Sequence, residues 1–111
     1  MSIPIHFKPG VVAYNMHDRT GEILAAAQKA YRMAGLTYVT VTSMREGLHS
    51  VPMSAHYDGR AIDFRTRFDD STVQFSNEIK KEIQAILIHE LGDKFYVRIE
   101  ALHIHVHLKD E

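Results

Sequence analysis

Residues 95–108 read Phe95-Tyr96-Val97-Arg98-Ile99-Glu100-Ala101-Leu102-His103-Ile104-His105-Val106-His107-Leu108. This stretch alternates apolar and polar side chains, the signature of extended chain with one buried face. It predicts one long strand or a hairpin. Leu102, Ile104, Val106 and Leu108 are expected to point toward a core, and His103, His105 and His107 away from it. Three imidazoles on one strand face, with neighbouring Cβ atoms ~7 Å apart, can line a cleft. The plainer alternative is an exposed polar face that happens to use histidine.

Working back from this strand, Phe75, Ile79, Ile83, Ile86 and Leu87 fall on one helical stripe and predict a helix over residues 72–91, stopped by Gly92. Ser71 and Gln74 match a capping box at its start. Ile23, Ala27 and Tyr31, with Leu24 alongside, predict an earlier helix from about Asp18 to Ala34. Asp18 or Thr20 can cap it, and Gly35 can end it. Residues 36–42 (LTYVTVT) and 59–65 (GRAIDFR) predict two more strands. Residues 43–55 are loop-like, broken by Gly47 and Pro52, and residues 1–16 read as an irregular or short-strand lead-in. This mix predicts a single α+β domain over residues 1–111, a small, mainly antiparallel sheet with helices packed on one face.

The composition narrows the function. With 111 residues, 45% of them apolar and 24% charged, there is material for one hydrophobic core. A net charge of −1, from 13 basic against 14 acidic residues, argues against nucleic acid as the main partner, which needs a basic surface. No apolar run approaches the ~20 residues of a membrane span. The first ten residues lack the pattern of a secretory signal. A cytoplasmic protein, or one released at lysis, is expected, and so is a monomer. With no cysteine there is no thiol nucleophile and no thiolate metal site, so histidine and carboxylate must hold any metal. Histidine is the unusual entry, with eight copies and three of them in the last nine residues.

The second informative segment is Ser54-Ala55-His56-Tyr57-Asp58-Gly59-Arg60-Ala61-Ile62-Asp63. If Gly59 turns the chain, His56 sits at the mouth of the turn and Asp63 on the strand that follows. Ala61 shares the face of Asp63 and leaves space beside it, while Ile62 turns to the core. An imidazole and a carboxylate then converge, and a third ligand from the histidine strand completes two His and one Asp. That set suits a catalytic zinc, which takes three protein ligands and keeps one position open. Taken singly, His56 reads better as a turn histidine and Asp63 as an ordinary strand-end carboxylate.

The pattern Ser54-x-His56-x-x-Gly59-x-Ala61-x-Asp63, followed by His103-x-His105, resembles the zinc peptidases of the D-alanyl-D-alanine carboxypeptidase and L-alanyl-D-glutamate endopeptidase group. That group includes vancomycin-resistance dipeptidases and phage endolysin peptidases, with the hedgehog signalling domain as a structural relative. The resemblance runs over about residues 39–108. It implies a hedgehog-like fold, Zn2+ as cofactor and a peptidoglycan stem peptide containing a D-amino acid as substrate. Carried over residue by residue, it makes His56, Asp63 and His105 the metal ligands, Glu100 the general base and His103 a group beside the metal that stabilises the oxyanion or shuttles a proton. Many enzymes of the group place an acid three residues before the ligand histidine. Counting back three from His105 gives Leu102, and from His103 gives Glu100. The pairing of His103 as ligand with Glu100 as base therefore stays open, since a bulge would change which side chains share a face.

Family members often carry an arginine in a Ser-x-x-Arg segment. The nearest match, Ser43-Met44-Arg45, is one residue short, so Arg45 reads first as a solvated surface arginine and second as a substrate-binding candidate. His49 is a further candidate for lining the groove. Arg60 reads as a structural ion-pair partner, and His6, His17 and His89 as surface or helix-flank histidines. Rival readings are a catalytically inactive zinc-binding module of the same fold and a metal-free accessory protein. A histidine-metal nuclease is disfavoured by the charge balance.

Overall fold

The computed structural model describes residues 2–11, 19–44 and 61–109. In chain order they form β1 (Ile5–Phe7), α1 (Thr20–Met33), β2 (Val39–Ser43), β3 (Ala61–Arg65), α2 (Asn77–Leu91), β4 (Phe95–Ile99) and β5 (His103–Leu108). The protein is α+β. Its five strands form one sheet in the order β1-β2-β3-β5-β4. The sheet is mixed: β2–β3, β3–β5 and β4–β5 pair antiparallel, and β1 joins the edge parallel to β2. A helix lies between β1 and β2 in sequence, the length of connection a parallel pair needs.

One face of the sheet is the core. Val39, Val41, Ile62, Phe64, Phe95, Val97, Ile104, Val106 and Leu108 alternate onto it and join Ile23, Ala26, Ala27, Ala30 and Tyr31 of α1 with Ile83 and Leu87 of α2 in one buried cluster. Both helices therefore cover the same face, as the sequence predicts. Burying each of the larger aliphatic or aromatic side chains contributes about 1.5–3 kcal/mol. Tyr31 reaches across this core, and its hydroxyl donates to the Arg65 carbonyl at 2.7 Å. Burial pushes its phenol well above the ordinary range. Among the described residues no helix is long and apolar enough to cross a membrane.

The stops hold as read, and the starts shift. Gly35, at φ +91°, ends α1. The Leu36 amide donates to the Tyr31 carbonyl at 2.9 Å and the Gly35 amide to Arg32 at 3.0 Å, the paired bonds of a Schellman motif. At the other end Thr20 lies inside α1, and the N-cap is Arg19, which makes no side-chain cap bond. Helix α2 begins at Asn77 and not at Thr72. Gln74 is drawn off by Thr66, to whose hydroxyl it is hydrogen-bonded, and the Phe75 amide donates to the Thr66 carbonyl at 2.7 Å. These bonds hold residues 74–75 against the end of β3, so the Ser71/Gln74 capping box does not form. Ser76 caps instead, its hydroxyl accepting from the Ile79 amide at 3.2 Å. Ser76→Ala is expected to lower stability by about 1 kcal/mol, read as a shift in urea midpoint, whereas Ser71→Ala should leave the midpoint nearly unchanged. An equal loss in both variants would restore the earlier helix start.

Residues 95–108 form a hairpin. Residues 100–102 make its turn, closed by the Glu100 amide donating to the His103 carbonyl at 2.8 Å. Leu102 consequently leaves the apolar face and is 68% exposed, against the expectation that it joins Ile104 and Val106.

Candidate metal centre

The site grows out of strand register on the sheet face opposite the helices. Strand β3 pairs with β5 so that Ala61 lies across from His107, Asp63 from His105 and Arg65 from His103. On the other side of β5, Tyr96 pairs with His107 and Arg98 with His105. Period-2 alternation puts all of these on one face while Ile62, Phe64, Ile104 and Val106 fill the core. Alternation along each strand is legible in the sequence. The pairing that sets Asp63 against the histidines is a tertiary fact.

Asp63 is the centre. It is 8% exposed, and His105 is 9% exposed. His105 Nδ1 lies 2.8 Å from Asp63 Oδ1, and His103 Nε2 lies 3.5 Å from Asp63 Oδ2. His103 Nε2 also lies 2.6 Å from Glu100 Oε1. The hairpin turn explains this last contact, because it folds Glu100 back over the first residue of β5. Arg98 donates to the other Glu100 oxygen at 2.6 Å and sits over the Tyr96 ring. The ligand atoms of Asp63, Glu100 and His103 all fall within 4.8 Å of one another, so this group can hold a metal ion. Two ligands at ~2.0–2.1 Å from a tetrahedral zinc stand about 3.4 Å apart. His103 Nε2 and Asp63 Oδ2, at 3.5 Å, stand at that separation, while His105 Nδ1 and Asp63 Oδ1, at 2.8 Å, stand at hydrogen-bond distance.

Beside Asp63 and His103 the surface forms a groove of about 300 Å³, also lined by Lys8, Thr42, Ser43, Arg65, Arg67 and Leu102. Its three cations come from separate places. Arg65 follows Asp63 by two on the same strand face, a position that period-2 reasoning alone could have flagged. Lys8 arrives through the parallel β1–β2 edge, for which the sequence carries no signal. Arg67 is fastened to backbone carbonyls, the shortest bond being 2.6 Å to that of Ser71.

Arg65 is itself positioned by Asp69, whose Oδ1 accepts from Arg65 at 2.9 Å and from the Thr40 hydroxyl at 2.7 Å. Asp69 Oδ2 lies 3.1 Å from His6 Nδ1. Burial pushes the Asp69 carboxyl up, but the hydrogen bonds from Thr40, His6 and Arg65 outweigh it and hold the group below the usual carboxylate range. His6, for which the sequence suggested no partner, thus has two, since its ring also stacks on Tyr38 at 4.5 Å. His89 flanks the end of α2 as read, near Glu90.

Of the residues singled out in the sequence, Asp63, Glu100, His103 and His105 are brought together. His56, Arg45 and His49, together with Ser54, Gly59, Arg60 and His17, lie outside the described residues. Set against known proteins, the chain matches no family model, no curated protein and no solved structure.

Proposed function

We propose that the protein is a zinc-dependent peptidase that cleaves a peptide bond in peptidoglycan stem peptides containing D-amino acids. The observation that carries the reading is the convergence of Asp63, Glu100 and His103 within 4.8 Å on a sheet face that also presents His105. The donor set is imidazole and carboxylate, with no thiolate anywhere in the chain. Hard cations such as Mg2+ and Ca2+ prefer oxygen alone, so nitrogen donors beside one buried carboxylate fit zinc better. In this reading Asp63, His105 and His56 hold the ion. His105 is taken as the ligand because it is the more buried and turns Nδ1 to Asp63, and His103, 2.6 Å from Glu100, takes the place beside the metal.

When bound, zinc supplies a Lewis acid and a water of lowered pKa. The chain's own residues do the rest. Glu100 takes a proton from the attacking water and returns it to the leaving amine. Arg98 braces the Glu100 carboxylate from its far oxygen, and the role assigned to His103, one hydrogen bond away from Glu100, is to donate to the developing oxyanion. The cationic groove of Lys8, Arg65 and Arg67 suits a substrate that carries carboxylates, as stem peptides do.

A second reading is an inactive zinc-binding module of the same fold. It is favoured by the engagement of both Glu100 oxygens, one by Arg98 and one by His103. Purified peptidoglycan incubated with the protein separates the two, with products analysed by mass spectrometry. New peptide termini that appear with zinc and vanish with a chelator support the peptidase. Zinc bound in stoichiometric amount without any cleavage supports the module.

A further inference from the structure

The groove beside Asp63 carries a positive surplus. Lys8, Arg65 and Arg67 line it, and Asp63 is the one acid among the described residues that do. The whole chain has a net charge of −1, so the surplus is local. Gathering like charges costs free energy unless a negative group joins them. Arg65 is the fixed member. Its side chain is 14% exposed, and its Nη1 donates to Asp69 Oδ1 at 2.9 Å. Asp69 is held in turn by the Thr40 hydroxyl at 2.7 Å and through its own amide, which donates to the Tyr38 hydroxyl at 2.8 Å. The Nε–Nη2 edge of Arg65 has no acceptor among the described residues. A planar fork pinned at one end keeps that edge for a planar carboxylate, which it can bind through two parallel hydrogen bonds. Lys8 has no acidic partner among the described residues either, and it is brought to the groove by the β1–β2 edge, its amide donating to the Val41 carbonyl at 2.9 Å. A register shift in β2 adds to the site. Val41 pairs with Phe64 but Ser43 with Asp63, so Thr42 and Ser43 both line the groove, where strict alternation would turn one of them to the other face.

We infer that the groove recognises a free carboxylate on a peptide, with Arg65 and Lys8 as its specificity-determining residues and Asp69 as the positioning residue that aims Arg65. This deepens the proposed peptidase and rests on it for the identity of the ligand. Asp63 repels the same carboxylate and keeps it at the Lys8–Arg65 end of the groove. Arg65 follows Asp63 by two residues, ~7 Å along the strand, and an extended peptide spans ~3.3–3.6 Å per residue. The recognised carboxylate therefore belongs to a residue within about three positions of a carbonyl held at Asp63. It is either the C-terminus of a short trailing end or an acidic side chain close to the scissile bond.

The test is a nitrogen-15 chemical-shift titration of the full chain, with a chelator present so that no probe is cleaved or held by metal. Three probes are compared: N-acetyl-D-alanyl-D-alanine, its C-terminal amide, and N-acetyl-D-alanyl-D-glutamyl amide, whose one carboxylate is on the side chain. The wild type is expected to bind one of the two acids ~10–100-fold more tightly than the amide, and which acid it prefers tells a terminal from a side-chain carboxylate. Arg65→Gln should bring that ratio close to one, and Lys8→Gln should reduce it. Asp69→Ala should reduce it as well, and Asp69→Asn, which keeps an acceptor for Arg65, should recover much of the loss. Equal affinity for all three probes, binding of none, or an unchanged ratio in Arg65→Gln overturns the inference, and an unchanged ratio in Asp69→Ala overturns the positioning role. Should Arg65→Gln fail to fold, the wild-type ratio and the exposed Lys8→Gln still decide. A preference for acids in a chain that cleaves no peptidoglycan with zinc sinks the peptidase and leaves the groove, whereas cleavage without that preference does the reverse.

Discussion

Asp63→Ala is expected to abolish stoichiometric zinc binding and every activity that depends on it. Among the described residues, Asp63 approaches both His105, at 2.8 Å, and His103, at 3.5 Å. On the proposed site, removing its carboxylate takes away a ligand and the buried negative charge that makes a divalent ion favourable there. Stability gives a second readout. At a zinc concentration 1,000-fold above Kd, binding to the folded state alone adds about 4.1 kcal/mol. For a domain of this size that is a rise in Tm on the order of 15 °C. The wild type should show this rise and the variant none, by differential scanning calorimetry with and without zinc. Elemental analysis of the same samples should find about one zinc per wild-type chain and close to zero for the variant. Retention of a full equivalent of zinc by Asp63→Ala would dismiss the centre.

Glu100→Gln separates chemistry from binding. Glutamine keeps the size of the side chain and can still hydrogen-bond to Arg98 and His103, but it cannot take a proton from water. If Glu100 is the base, the variant should keep zinc and the fold while kcat falls ~10²–10⁴-fold. If Glu100 is instead a ligand alongside Asp63 and His103, the alternative its 2.6 Å approach to His103 allows, the same substitution should weaken zinc binding as well. Measuring zinc affinity and turnover on one preparation distinguishes the two roles. A variant with full turnover removes Glu100 from the mechanism.

The local elements were readable wherever the side-chain pattern and the backbone preference agreed. Ile23, Ala27 and Tyr31 mark the buried face of α1, and Gly35 and Gly92 sit at positive φ where their helices stop. Reading was poorest where a distant partner competed for a local signal. Gln74 matches a capping box by spacing, yet Thr66 claims it, so α2 starts at Asn77 with Ser76 as its cap. Leu102 fits the apolar alternation, yet the hairpin turn carries it out to solvent. Arg65 was within reach, being two residues from Asp63 on one strand. Lys8 and Asp69 were not, because the groove receives the one through strand pairing and depends on the other through hydrogen bonds to Arg65 and Thr40.

By itself the sequence determined the types of donor available, nitrogen and carboxylate without sulfur, and the face of each strand on which they stand. Both follow from composition and from the two-residue period of extended chain, which involve only near neighbours. The tertiary structure alone decided that Asp63 faces His105 and that Glu100 folds back onto His103. Register and turn geometry are set by how whole strands pack over a common core, and a slip of one residue would turn Asp63 to the helices and scatter the site.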